Sequence, residues 1–232
     1  MAETTEPSVP SRAVAGWSDG ESPVWLSIPE GYAELPLDDI PETIEATRQL
    51  VTELGTPDQR QAAAFVLSSL NVFLTTLAER NAIYVGLGRH QSALNGQLIT
   101  SSLVVTVLDF PGERNPRLVL RDLLVAKARA HEHGQADILD LEDRPAAFFE
   151  HTLSLPNPAL PGQHVLAEGA EVPVWQLEAF VPSPGGDRLV TFEVSTPFAE
   201  HGPQYRAMVV AMAARLSFQP PAADDPLAAL LG

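Results

Sequence analysis

The stretch from residue 174 to residue 218 changes its hydrophobic period once, and this change constrains the fold more than any other feature. In 174–181 and again in 187–195, apolar and polar residues alternate, as in strands that bury one face. The segment between them, PSPGG, has the proline and glycines typical of a hairpin turn. The apolar residues after Pro197 then recur at the spacing of one helix face: Tyr205, Met208, Val209, Met212, Ala213 and Leu216. The stretch therefore predicts a β-hairpin followed by a helix that packs across it.

The preceding part of the chain gives helices and strands in an order that does not alternate strictly. A helix is predicted at 42–54, where Gly55 ends it, and a longer one at 57–80. Thr56 and Gln59 have the spacing of a capping box at the start of the longer helix. The remaining elements are a helix at 116–131 and strands at 24–28, 82–88, 97–108, 138–141 and 146–155.

These elements sum to an α+β fold. We predict a single antiparallel β-sheet of about six or seven strands flanked by α-helices, with the helical hairpin 42–80 inserted. A doubly wound parallel sheet would need strict alternation of strand and helix. We expect residues 1–22 to be a flexible leader, 23–218 a single domain, and 219–232 a Pro-rich linker with a short apolar tail.

Charge and composition exclude several classes of function. The net charge of −16, from 14 basic and 30 acidic residues, argues against nucleic acids and anionic membrane surfaces as partners. The lack of cysteine removes disulfides, thiol catalysis and cysteine-based zinc sites. Residues 1–16 lack the apolar core of a secretory signal, and no apolar run approaches the length of a membrane span, about 20 residues. We therefore expect a cytoplasmic protein.

Short signatures near both ends of the chain carry a family resemblance. The first is SIPEGY at 27–32; the others are FVP at 180–182, the strand 189–195 followed by Thr196-Pro197, and ARLSF at 214–218. With the element order of 22–218, they resemble the PsbP/LpqN-like superfamily. The resemblance implies one antiparallel sheet flanked by helices, used for binding or assembly support rather than catalysis. The chain departs from the lipoproteins of that superfamily, since it lacks both signal and cysteine, and its helical hairpin is longer than the resemblance implies.

The best metal candidate lies at the end of the third helix. His131-Glu132-His133 is followed by Asp137 and Asp140. Histidines two residues apart do not share a helical face, and no third ligand has a recognised spacing. We interpret this segment as a solvated helix end whose histidines complement the helix dipole, and predict no metal or cofactor.

No catalytic residue is predicted elsewhere. The two glycines of Gly86-Leu87-Gly88 follow a strand, but neither a further glycine nor a helix start follows them, as a phosphate loop would require. His90 or His151 could join Asp109 or Asp143 in a hydrolytic triad only with a nucleophile elbow, Gly-x-Ser-x-Gly, which the sequence lacks.

Two apolar features suit a protein partner. The helix 57–80 is apolar on nearly half of its circumference, and its candidate contact residues are Phe65, Leu70, Phe73 and Leu74; the alternative is core packing on the sheet. The tail beyond the linker QPPAADD offers Leu227, Leu230 and Leu231 for docking in a groove of another protein; the alternative is a frayed end.

The sequence therefore predicts a non-enzymatic protein-binding module: an adaptor, assembly factor or chaperone-like protein. The alternative is a small-molecule-binding protein or enzyme with a pocket between sheet and helices, lined by Trp175 and Tyr84. Self-association into a homo-oligomer is a third reading.

Overall fold

The computed structural model describes residues 11–16, 24–130, 132–142, 144–156 and 171–220. Seven of its strands form one antiparallel sheet in the order β3-β4-β5-β9-β8-β7-β6. Their bounds are β3 Tyr32–Glu34, β4 Ala82–Gln91, β5 Leu98–Asp109, β6 Gln135–Leu141, β7 Arg144–Pro156, β8 Glu171–Pro182 and β9 Arg188–Thr196. Two meanders, β3 to β5 and β6 to β9, join where β5 pairs with β9. The α+β fold with a single antiparallel sheet and an inserted helical hairpin is confirmed.

Four helices flank this sheet: α1 Ile40–Leu54, α2 Pro57–Glu79, α3 Pro116–Arg129 and α4 Gly202–Arg215. Helices α1 and α2 form the hairpin between β3 and β4, and α3 connects the two meanders. Asn115 caps α3 by accepting a hydrogen bond from the N–H of Arg117, and Pro116 occupies the first turn, where a missing N–H costs nothing. A short 3₁₀ turn, Ala199–His201, precedes α4.

One face of the sheet, the first face, is closed by α4 and by a separate strand, β2 Val24–Pro29. Val24, Leu26 and Ile28 of β2 pack there with Tyr205 and Val209 of α4. The apolar residues of the sheet itself complete this core: Tyr84, Ile99, Leu103, Val105, Val107, Ala146, Phe148, Trp175, Leu177, Ala179, Val181, Val190, Phe192 and Val194. The predicted alternation in 174–181 and 187–195 is therefore correct for the buried side.

Strand β2 is also paired at its outer side. It forms a two-stranded antiparallel sheet with β1 Ser11–Gly16, inside the segment that we predicted to be a flexible leader. Its Trp25 exchanges two backbone hydrogen bonds of 2.9 Å with Ser217, so the segment after α4 is joined to the beginning of the domain. No sequence signal predicts β1, because its six residues, SRAVAG, have little alternation.

The opposite face, the second face, carries the other three helices in two separate clusters. Ile40 and Ile44 of α1 and Leu67 and Leu74 of α2 pack on Val85 and Val104 of the sheet. Val119 and Leu120 of α3 pack over the other half of the sheet, on the cluster Ala147, Phe149, Phe180 and Leu189.

The inner face of α2 differs from the prediction. The sequence analysis names Leu74 as a candidate contact residue together with Phe73, whereas Leu67 and Leu74 are the buried residues of α2 and Phe73 is 45 % exposed. These two leucines are seven residues apart and so lie on one line of the helix, above Val85 and Val104. Because α2 is apolar on more than one face, periodicity alone could not identify the face that meets the sheet.

Candidate functional site

The α1–α2 hairpin is the best candidate for a functional surface. Helix α2 begins with the predicted capping box: the N–H of Gln59 donates to Thr56 Oγ1 over 3.3 Å, and the N–H of Thr56 donates to Gln59 Oε1 over 2.8 Å. The residues between Arg60 and Glu79 carry no charge. Only Leu67 and Leu74 of this 23-residue helix are buried, and several of its large apolar side chains are exposed.

Four large apolar side chains of α2 are exposed: Phe65 at 54 %, Val66 at 42 %, Val72 at 65 % and Phe73 at 45 %. Leu50 and Leu54 of α1 are also exposed, at 55 % and 78 %. We call the four α2 residues the apolar face of α2. Scattered single apolar residues are normal on a protein surface, but a contiguous group on one helix is typical of an interaction site.

The structure divides the predicted partner-binding residues into four groups. Phe65 and Phe73 lie on the apolar face of α2, whereas Leu70 is half-buried against the sheet cluster. Leu74 is 0 % exposed and therefore belongs to the core, since it fills the space above Val85 and Val104. The three tail residues Leu227, Leu230 and Leu231 lie outside the described residues.

The candidate contact residues predicted from the sequence do not include Val66 and Val72, although both are exposed. The signal that could have found them is the uncharged length of 61–78, which holds more apolar residues than one buried face can use. Because this stretch is uncharged, α2 is also long and apolar enough to cross a membrane, by length and composition alone. Within its most apolar 18 residues, 11 % are buried in the fold. The sequence analysis found no such segment because Ser68, Asn71 and Thr75 interrupt the apolar run without adding charge.

A polar strip crosses the second face between α2 and α3. It consists of Ser102, Gln176, Glu178, Thr191, Glu193 and Ser195, which the strand register places side by side on β5, β9 and β8. Glu178 lies directly opposite Glu193. Burial raises the pKa of Glu193, the neighbouring Glu178 raises it further, and Lys127 and Arg80 oppose the rise. Glu193 is therefore the least favourably placed charge of the strip.

Lys127 of α3 neutralises the other carboxylate of this pair. Its ammonium forms ion pairs with Glu178 and, at 2.7 Å, with Glu132. It also lies 4.7 Å from the ring centre of Phe149. Burial lowers the pKa of Lys127, but the hydrogen bonds and charges of the two glutamates outweigh burial and raise it overall. The lysine thus stays charged and holds α3 to the sheet.

A second polar cluster lies on the first face, at the edge formed by β3 and β4. The hydroxyls of Tyr32 and Ser101 are 2.9 Å apart, and the His90 ring packs edge-on against the rings of Tyr32 and Tyr205. Gly88 makes room for it, since a Cβ there would lie 2.4 Å from His90 Nε2.

The groups of this cluster are held neutral. Burial lowers the pKa of His90 and raises that of Tyr32. His90 Nε2 is buried without a hydrogen-bond partner among the described residues. The cluster therefore closes one end of the first face with side chains that burial keeps uncharged at neutral pH.

The candidates for chemistry that the sequence raised are dispersed. Asp137 pairs with Arg206 at 2.6 Å and Asp140 with Arg117 at 2.5 Å, while His131 lies outside the described residues. Within the described ranges, no group of three or more histidine, aspartate or glutamate residues could hold a metal ion.

The residues that the sequence analysis considered for a triad or a phosphate loop are dispersed as well. His151 Nε2 lies 3.1 Å from the amide oxygen of Gln176, and Asp109 pairs with Arg188. Gly86 and Gly88 are both inside β4 rather than in a phosphate loop. Neither histidine lies beside Asp109 in the sheet, since His90 pairs with Ile99 near the opposite end of β5 and His151 pairs with Gln176 of β8. Asp143 lies outside the described residues.

Comparisons with known proteins give no family for this chain: no family model and no curated protein matches its sequence. The resemblance to the PsbP/LpqN-like superfamily stays a prediction.

Proposed function

We propose that this chain is a non-enzymatic protein-binding module, an adaptor, assembly factor or chaperone-like protein, that recognises its partner through the apolar face of α2. The observation that carries the proposal is the exposure of Phe65, Val66, Val72 and Phe73 on a helix whose other face is already packed on the sheet. Covering such a surface releases about 25 cal/mol for each Å² of apolar area removed from water. A protein partner of matching apolar character would supply that cover. The proposal retains the cytoplasmic location expected from the sequence.

The alternative function, small-molecule binding between sheet and helices, is supported less well. Its predicted lining residues, Trp175 and Tyr84, are 4 % and 2 % exposed and pack inside the core of the first face. The indole N–H of Trp175 donates to Glu150 over 2.8 Å, so its polar atom is used within the fold.

The proposal is tested by affinity purification of the tagged full chain from its native cells, with mass spectrometry of the recovered proteins. We expect the double variant Phe65→Ser/Phe73→Ser to lose a protein that the unaltered chain recovers. The matched control is Leu94→Ser, which removes a side chain that is 71 % exposed on the β4–β5 loop, away from α2. Equal recovery of the same proteins by all three chains would contradict the proposal.

A further arm separates α2 from the C-terminal tail. Deletion of residues 226–232 tests whether the tail docks on a partner, as the sequence analysis predicts. Loss of the partner on deletion, with recovery by the Phe65→Ser/Phe73→Ser variant, would move the recognition surface from α2 to the tail.

A further inference from the structure

The exposed residues of α2 are arranged symmetrically about Ser69. Phe65 lies four residues before Ser69 and Phe73 four residues after it, while Val66 and Val72 are each three residues away. All five positions are exposed. The symmetry extends further along the helix, to Ala62 and Thr76 at seven residues and to Asp58 and Arg80 at eleven.

The symmetric residues also share one side of the helix. At about 100° per residue, Ala62, Ser69 and Thr76 form a central line. Phe65 and Val72 flank that line on one side, whereas Val66 and Phe73 flank it on the other. The surface is therefore a row of small residues between two rows of large apolar ones. The order of these residues is the same whether it is followed from Ser69 towards the N-terminus or towards the C-terminus.

We propose that this surface binds a second copy of the same chain, with the two α2 helices antiparallel and related by a two-fold axis at Ser69. An isologous contact requires a surface that is complementary to itself. The two-fold axis would place Phe65 against Val72 of the second copy, and Val66 against Phe73. The small residues of the central line allow the helix axes to approach to within the usual range, and at an axis separation of about 10 Å the two Ser69 Cα atoms would lie about 5.4 Å apart. This inference rests on the protein-binding function proposed above and names the partner.

The charges of the helix agree with this pairing. Each chain has a net charge of −16, so two copies repel unless they meet through a neutral surface. Residues 61–78 provide such a surface, because none of them is charged. At the two ends of the contact, Asp58 of each copy would lie opposite Arg80 of the other, which gives opposite charges where like charges would oppose the contact.

Because the chain contains no cysteine, a single introduced one reports the axis directly. A disulfide needs Cα atoms about 4.4–6.8 Å apart. We expect Ser69→Cys to form a disulfide-linked dimer nearly completely under mild oxidation. Ser68→Cys is the matched control: Ser68 is also exposed, but it lies about 100° further round the helix and should give only a trace of dimer. Equal cross-linking of the two variants, or of neither, would overturn the proposed axis.

Light scattering during gel filtration measures the mass without any cross-link. The unaltered full chain and the Leu94→Ser control should have twice the mass of one chain at micromolar concentration. The Phe65→Ser/Phe73→Ser variant should have the mass of one chain, with an unchanged far-ultraviolet circular dichroism spectrum. A dimer that survives the double substitution would place the contact elsewhere and overturn the inference.

The same measurements distinguish two other possible partners of the apolar face of α2, a different protein and a lipid bilayer. If the unaltered chain is monomeric, yet its partner is lost in the Phe65→Ser/Phe73→Ser variant, the protein-binding function stands and the second copy is excluded. If the unaltered chain is monomeric and co-sediments with vesicles of uncharged phosphatidylcholine while the double variant does not, the apolar face meets a lipid bilayer, and both proposals fail.

Discussion

The two faces of the sheet bury their helices to different extents, although α4 and α2 are both rich in apolar residues. Helix α4, with 14 residues, buries five of them on the first face, whereas α2, with 23 residues, buries two on the second. On the first face, β2 and α4 together cover the apolar residues of most strands. On the second face, Val85 and Val104 are the two buried sheet residues that the described structure places beneath the hairpin. The apolar area that the sheet offers, and not the composition of the helix, decides how much of the helix becomes core.

The surplus of apolar residues on α2 therefore has no partner within the described part of the fold. An ordinary surface helix replaces such residues with charged ones, because exposed apolar groups promote association. A helix that keeps Phe65, Val72 and Phe73 exposed, in a chain with 44 charged residues, is suited to association. The contrast between the two faces is the physical basis of the proposed function.

The largest expected effect tests this contrast in stability. Met212 of α4 is 3 % exposed and Val72 of α2 is 65 % exposed. Replacing Met212 by alanine should lower the free energy of unfolding by about 2–5 kcal/mol, because it leaves a cavity in the core. Val72→Ala should change it by about 0.5 kcal/mol or less. Urea unfolding followed by circular dichroism, at a low chain concentration, compares the two.

The same unfolding experiment, repeated at several chain concentrations, also tests the proposed dimer. If α2 pairs with a second copy, the effect of Val72→Ala should grow as the concentration rises, because the dimer stabilises the folded state by mass action. Met212→Ala should lower stability by the same amount at every concentration. A cost of several kcal/mol for Val72→Ala at low concentration would show that the outer side of α2 is core, which removes the contrast.

The sequence predicts the buried residues of the first face much better than those of the second face. Alternation in 174–181 and 187–195 places Trp175, Leu177 and Phe192 correctly on the buried side, because the first-face residues of β8 and β9 are mostly apolar while most of their second-face residues are polar. For α2 the same reasoning names Phe73 and Leu74 together as candidate contact residues although only Leu74 is buried, since a helix that is apolar on several faces does not indicate which one meets the sheet. The position of Glu193 opposite Glu178 depends on strand register, which short-range pattern does not determine.

The second expected effect concerns His90 on the first face and the pH dependence of the free energy of unfolding. Burial lowers the pKa of His90 below its ordinary value of 6.5, so the unfolded chain takes up a proton before the folded one does. The free energy of unfolding should therefore be highest above pH 6.5 and fall as the pH decreases through 6.5 to the lowered pKa of the folded state. His90→Gln should remove this part of the pH dependence, as measured by urea unfolding at a series of pH values.

His133→Gln is the control for this measurement, because His133 is exposed at the end of α3. Its pH profile should match that of the unaltered chain. If the profile of His90→Gln also matches it, the imidazole is solvated, and the edge of the first face at β3 and β4 is open rather than closed.

The smallest expected effect concerns the polar strip of the second face. Here the free energy of unfolding should fall as the pH rises, whereas for His90 it falls as the pH decreases. Because burial and Glu178 raise the pKa of Glu193 above 4.5, the folded chain keeps its proton to a higher pH than the unfolded chain does. Ionisation of Glu193 should therefore lower the free energy of unfolding as the pH rises from 4.5 through the raised pKa. Glu193→Gln stays neutral, so its stability relative to the unaltered chain should increase over that range and then level off, while the exposed Glu142→Gln shows no such trend. A Glu193→Gln variant that is less stable at pH 7 would mean that Lys127 and Arg80 outweigh burial, and that the strip between α2 and α3 is solvated enough to hold both carboxylates ionised.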